Sequence, residues 1–123
     1  MSEKDLTSLR GTLDWLRAEG DLIETDKEVN PDLEITGIQK HLDGGPPILF
    51  ENVKGKPHAR AVTNLFSDIG IIEKMFGWDG PVDRTKKLAH ALTHPLAPVE
   101  ISQAEAPVQE HVITDDLDVN KWI

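Results

Sequence analysis

Leu9, Leu13 and Leu16 recur at helical spacing between Ser8 and Gly20, which predicts an amphipathic helix over residues 8–19. Ser8 suits the N-cap, and Gly20 stands where a left-handed C-terminal residue is wanted. The short apolar-polar run Leu22–Thr25 then reads as a strand. A second helix is expected with Asn30 as its cap, Pro31 in its first turn and Asp32 and Glu34 at the positive end of its dipole. Its buried stripe is Ile35, Ile38 and Leu42, and Gly44-Gly45-Pro46-Pro47 stops it. The run from Ile48 to Val53 is the best strand, apolar enough at its start for burial on both faces. A turn at 54–57 returns the chain into a strand over 61–65. Ser67 is expected to cap a third helix whose Ile69, Ile72 and Phe76 share a buried face, ended by Gly77. Asp83 is expected to cap a fourth, running to His94 before Pro95 forbids continuation. Leu33 and Phe50, apolar positions of the two clearest elements, are expected in the core.

Beyond Pro98 the pattern changes. Six acids stand against one base from Val99 to Ile123, which is −5 of the chain's total of −9. Pro95, Pro98 and Pro107 keep this stretch extended, with one strand expected over Val108–Ile113. The predicted architecture is α+β: a small sheet covered by three or four helices over residues 1–98, followed by an extended acidic connector over 99–123.

Composition adds mainly exclusions. With 123 residues there is chain for one modest core, and with three Trp, three Phe and no Tyr that core rests on Leu, Ile and Val. A net charge of −9 argues against nucleic acid or an anionic membrane surface as partner. No apolar run approaches the roughly 20 residues of a membrane span, and Met-Ser-Glu-Lys-Asp is unlike a secretory signal. The absence of cysteine excludes disulfides, thiolate metal sites and cysteine nucleophiles. A cytoplasmic protein is the expectation.

Candidate chemistry is thin. His90 and His94 are spaced i, i+4 as zinc-binding histidines are, but residue 91 is Ala where a glutamate base would stand, and no third ligand is near in sequence. The acidic groups Glu19, Asp21, Glu24, Asp26 and Asp115, Asp116, Asp118 lie among polar neighbours and read as solvated surface. A calcium loop at 115–118 would need more oxygen ligands and a glycine. Gly44-Gly45 and Gly77–Gly80 are turns, Ser67 and Ser102 lack a nucleophile context, and Lys54 and Arg60 read as solvated loop residues. No residue is nominated as catalytic, cofactor-binding or metal-binding.

Several segments, taken in order, resemble the amino-terminal domain of the UbiD family of decarboxylases. Ala18-Glu19-Gly20-Asp21-Leu22 is similar to the exit of that family's opening helix. Glu28-Val29-Asn30-Pro31-Asp32-Leu33-Glu34-Ile35 resembles E-V-D-P-x-L-E-I, with Asn30 in place of the usual Asp. The most specific stretch runs from Gly44-Gly45-Pro46-Pro47 through Ile48-Leu49-Phe50-Glu51-Asn52-Val53-Lys54-Gly55, and Asn64-Leu65-Phe66 follows. Pro95–Val99, Ala106–Glu110 and Asp116–Val119 resemble the family's connector motifs. Lys54–Arg60 is most similar to the branch that acts on phenolic acids such as hydroxybenzoates.

The resemblance implies an enzyme about four times longer that binds prenylated FMN with a divalent metal (Mn or Mg) and potassium. Such enzymes reversibly decarboxylate aromatic or α,β-unsaturated acids. The residues that carry this chemistry in the family match no position here. Two readings follow: an amino-terminal subunit or fragment completed by a second polypeptide carrying the flavin-binding domain, or a free-standing interaction module without activity. With four apolar residues in the last seven, Trp122 and Ile123 are expected to be buried against that second polypeptide, and the chain by itself to bind no flavin.

Overall fold

The first helix, α1 (Leu9–Glu19), forms where the leucine spacing predicts it. Ser8 Oγ accepts from Gly11 N at 3.0 Å. At the other end Gly20 turns left-handed with φ 76, and the N–H groups of Gly20 and Asp21 donate to the carbonyls of Arg17 and Leu16. The computed structural model describes residues 4–118. Trp122 and Ile123, expected to be buried, lie outside the described residues.

Three short strands follow the helix in a single sheet, in the order β1 (Ile23–Thr25), β2 (Ile48–Phe50), β3 (Ala61–Thr63). β1 and β2 are parallel, with Ile23 opposite Ile48 and Thr25 opposite Phe50. That pairing needs a crossover, which α2 (Glu34–His41) supplies. β2 and β3 are antiparallel, Ile48 opposite Thr63 and Phe50 opposite Ala61. β2 is buried along its whole length, and alternation sends Ile48 and Phe50 to one face and Leu49 to the other. The strand is shorter than the predicted 48–53. Pairing lapses after Phe50 and resumes as two isolated bridges of Val53, with Val29 and with Lys56.

The core falls into two clusters. Trp15, Leu16, Ile71 and Met75 join α1 to α3 (Ile69–Phe76), with Leu6, Leu22 and Leu65 against them. Val29, Ile48, Phe50 and Val53 form the other, covered by Ile35 and Ile38 of the second helix and by Leu42, which follows it. The architecture is α+β, as predicted.

Three predicted helix starts are displaced. Asn30 does not cap α2. Its Oδ1 accepts from Asp32 N at 2.9 Å and its own N–H donates to Glu34 Oε2, so residues 31–33 make a turn and the helix begins at Glu34. Leu33, at the junction, has φ 67 and is 77% exposed, so it is not a core residue. A left-handed leucine costs about 1–2 kcal/mol. Leu33→Gly is therefore expected to raise stability, by up to about 1 kcal/mol once the added chain entropy of glycine is offset. A urea titration showing a loss of the 2–5 kcal/mol typical of a buried leucine would contradict this.

Ser67 does not cap α3; Asp68 does, its Oδ1 accepting from Gly70 N and Ile71 N. Ser67 instead accepts from Gly44 N at 2.7 Å and meets Asp43 Oδ1. The fourth helix, α4 (Gly80–Thr93), starts before Asp83, which lies in its first turn and accepts from Asp79 N. None of its residues is buried.

The chain divides into two units, one ending at Ala89 and one beginning at His90. In the second, Gln103–Glu105 and Pro107–Gln109 are single 3₁₀ turns, the first closed by reciprocal bonds between Ser102 and Glu105. The strand expected over Val108–Ile113 is absent from the described residues. Pro107 begins a 3₁₀ turn instead, and a strand there has no neighbour to pair with.

Candidate interaction surface

The segment Asn64-Leu65-Phe66, which leaves β3, distributes three different tasks over three residues. Asn64 adopts φ 58, a conformation asparagine tolerates better than other non-glycine residues. Its Nδ2 donates to the carbonyls of Gln39 and Leu42, both at 3.1 Å, and so satisfies the last turn of α2. Leu65 turns inward against the Trp15 cluster. Phe66 turns outward and is 61% exposed.

The adjoining helix α3 is rotated relative to expectation. Ile71 and Met75 are buried, while of the three residues predicted to face the core Ile72 is half-buried and Ile69 and Phe76 are about half exposed. The helix is apolar on both sides, so sequence periodicity could not say which side the core would take. Leu6, Leu9, Leu65, Phe66, Met75 and Phe76, with the hydroxyl residues Thr7, Ser8 and Thr12 on one side, line a groove of about 240 Å³. Phe76 stacks on Trp78 with ring centroids 4.9 Å apart. The groove's other wall is held by the residues before α1. Lys4 Nζ donates to Lys74 O at 2.8 Å and lies 5.0 Å above the Trp15 ring. Gly11 permits this approach, because a Cβ there would come within 2.8 Å of the Asp5 carbonyl.

The acidic group flagged in the sequence is a surface ion-pair network. Arg17 forks onto Glu24 with contacts of 2.6 and 3.0 Å and reaches Asp14 at 2.6 Å. These hydrogen bonds hold the Glu24 carboxyl below its ordinary range. Lys74 bridges Asp21 at 2.7 Å and Glu19 at 3.0 Å, and hydrogen bonds to both carboxylates raise its ammonium. Asp26 stays exposed. Because the folded-state Glu24 titrates low, its contribution is complete above the ordinary glutamate range and is lost as pH falls through the folded value. The expected result is that Glu24→Gln lowers stability at neutral pH by up to about 1 kcal/mol, given solvent screening. The deficit should shrink as pH falls below the ordinary glutamate range, as paired melting curves would show; a deficit independent of pH would count against this pairing.

The two histidines do share a face. Their rings stack at 4.1 Å, and His94 Nδ1 lies 3.1 Å from the His90 carbonyl oxygen. Among the described residues no group of three or more His, Asp or Glu is placed to hold a metal ion. Asp115 and Asp116 are exposed, and Lys54 and Arg60 lie on the exposed 54–60 loop, where Arg60 meets Glu51 at 3.6 Å. Among the described residues no helix is long and apolar enough to cross a membrane.

Fold and surface together define a small α+β domain whose most distinctive exposed feature is apolar. The chain belongs to the family of 3-octaprenyl-4-hydroxybenzoate carboxy-lyase N-terminal domains, whose model matches residues 13–92. It is 32% identical over 113 residues to gallate decarboxylase of Lactiplantibacillus plantarum, covering 81% of this chain and 23% of that protein. Among solved structures it resembles an evolved dimeric form of the UbiD-class enzyme HmfF from Pelotomaculum thermopropionicum in complex with prFMN. There the TM-score is 0.77 at 36% identity, over 93% of this chain and 26% of the other. It also resembles the closed form of vanillic acid decarboxylase from Sedimentibacter hydroxybenzoicus, with TM-score 0.74, 28% identity and coverage of 95% and 26%. The chain thus spans about a quarter of the length of the relatives it matches.

Two grooves among the described residues lack what a prenylated flavin needs. A flavin phosphate requires backbone N–H groups or basic side chains converging on a concave site. The groove along Gln103–Glu110 carries Glu105 and Glu110, which repel an anion, and the groove at Phe66 is apolar.

Proposed function

We propose that this chain is the amino-terminal part of a UbiD-type carboxy-lyase, with a structural and assembly role. Decarboxylation is carried by a second polypeptide that holds prenylated FMN, a divalent metal (Mn or Mg) and potassium. The observation that carries this reading is the family match over residues 13–92, joined to the likeness to a UbiD-class enzyme in complex with prFMN. Residues 1–98 act as the domain, and 99–123 as the connector toward the flavin-binding domain. The substrate class is an aromatic acid, with a phenolic acid favoured because two relatives are named for gallate and vanillic acid. Freedom from cysteine and the acidic charge suit a cytoplasmic enzyme.

Native mass measurement of the protein from its source, followed by gallate and vanillate turnover, tests this. The expected result is a complex containing a polypeptide with the family's flavin-binding sequence, active only when both are present. Isolation as a free monomer, or turnover by this chain without another polypeptide, would overturn it.

A further inference from the structure

Aspartate is followed by glycine at two positions, Asp43-Gly44 and Asp79-Gly80. Such a pair is reactive within itself, because a glycine nitrogen, with no Cβ beside it, can reach the carboxyl carbon of the preceding aspartate. The structure treats the two pairs differently. At the first, Gly44 N donates to Ser67 Oγ at 2.7 Å, and the same hydroxyl lies 3.3 Å from Asp43 Oδ1. Ser67 thus engages both the nitrogen and the carboxylate, from a position next to Asp68, which caps α3. At the second pair, Asp79 N donates to Asp83 Oδ2 at 2.9 Å. Among the described residues neither the Gly80 N–H nor the Asp79 carboxylate has a hydrogen-bonding partner. Pro81 disfavours a helical backbone at Gly80, which adopts φ 73. No residue of α4 is buried, so the start of this helix is weakly held.

We propose that Asp79-Gly80 is a site of spontaneous aspartate isomerisation, and that Ser67 is the positioning residue that withholds Asp43-Gly44 from the same reaction. The Gly80 nitrogen attacks Asp79 Cγ and forms a C–N bond, while the amide proton and the hydroxyl of the protonated carboxyl group leave as water. The product is a cyclic succinimide. Water then adds to either of its carbonyl carbons and breaks the C–N bond there, which restores aspartate or gives isoaspartate. No oxidant, metal or further substrate enters. Isoaspartate carries the main chain through Cγ, adds a methylene ahead of α4 and leaves the α-carboxylate as the side group. Packing offers little resistance, since α4 buries none of its residues. At Asp43 the same attack requires the Gly44 N–H to leave Ser67 first. That requirement lowers the reactive population roughly 3- to 10-fold, the equivalent of one net hydrogen bond.

The experiment keeps the protein, purified from its source, at neutral pH and physiological temperature for several weeks. Both pairs are followed by peptide mapping with electron-transfer fragmentation, which distinguishes isoaspartate from aspartate. Isoaspartate is expected to accumulate at Asp79 roughly 3- to 10-fold faster than at Asp43. In Ser67→Ala the rate at Asp43 should rise by the same factor while the rate at Asp79 stays unchanged. Ser67→Thr, which keeps the hydroxyl, should hold Asp43 at its wild-type rate. In urea-unfolded protein the two pairs should react at similar rates, because the Ser67 contact is then gone. Equal rates in the folded protein, or faster reaction at Asp43, overturn the proposal. A difference that persists in urea overturns it too, since it would then belong to the neighbouring sequence. So does a Ser67→Ala variant that speeds both pairs alike, the mark of general loosening, or that leaves Asp43 unchanged.

Discussion

Phe50→Ala is expected to cost about 3–5 kcal/mol, the range for removing a buried aromatic side chain. Phe50 is 1% exposed and sits at the centre of the cluster formed by Val29, Ile48 and Val53. The second helix covers this cluster with Ile35 and Ile38, and Leu42 follows it; none of the three is fully buried, so the helix depends on Phe50 for much of its attachment. The sheet backbone cannot close the cavity, because β2 is paired on both sides and is held at its register. Small domains have only about 5–15 kcal/mol in hand. The variant should therefore unfold at a much lower urea midpoint with an unchanged slope. Phe50→Leu, which retains most of the volume, should cost less than about 1.5 kcal/mol. Equal midpoints for the wild type and Phe50→Ala would remove this cluster as the anchor of the second helix.

Asn64→Ala is expected to cost about 2–3 kcal/mol, although Asn64 is only partly buried. Two effects add. Alanine at φ 58 bears the left-handed penalty of about 1–2 kcal/mol that asparagine largely escapes. The carbonyls of Gln39 and Leu42 also lose their shared donor at the end of α2. Asn64→Gly separates the two effects, because glycine adopts that backbone freely while donating nothing. Its expected cost is about 1 kcal/mol. If alanine and glycine prove equally costly, the backbone argument fails and only the hydrogen bonds matter.

These two residues show different routes from sequence to structure. Phe50 announced itself, since an apolar run bounded by Pro47 and the 54–57 turn has few places to go except a central strand. Asn64 was legible as part of the Asn-Leu-Phe resemblance but not as a helix-closing group, because the carbonyls it serves lie 22 and 25 residues away. The same non-locality displaced the cap of α3. Ser67 has the right chemistry to cap α3, yet the Gly44 N–H, 23 residues distant, claimed its hydroxyl and left Asp68 to do it. At Ser8 and Gly20 no distant partner competed and the local expectation held, whereas at Asn30 the nearby Asp32 N–H and Glu34 carboxylate were enough to displace it.

Sequence by itself determined the α+β class, the helix over residues 9–19, the positions of the three strands that form, and the family. Each of these depends on side-chain periodicity, turn residues or composition, which act within a few positions of one another. Only the tertiary structure decided which side of α3 faces inward, that Leu33 is an exposed left-handed junction, and that Phe66 and Phe76 lie beside Leu9. A helix with apolar residues on both sides has no preferred inner face until another element packs against it. Here Trp15 and Leu16 of α1 took Ile71 and Met75, and Ile69 and Phe76 were left about half exposed.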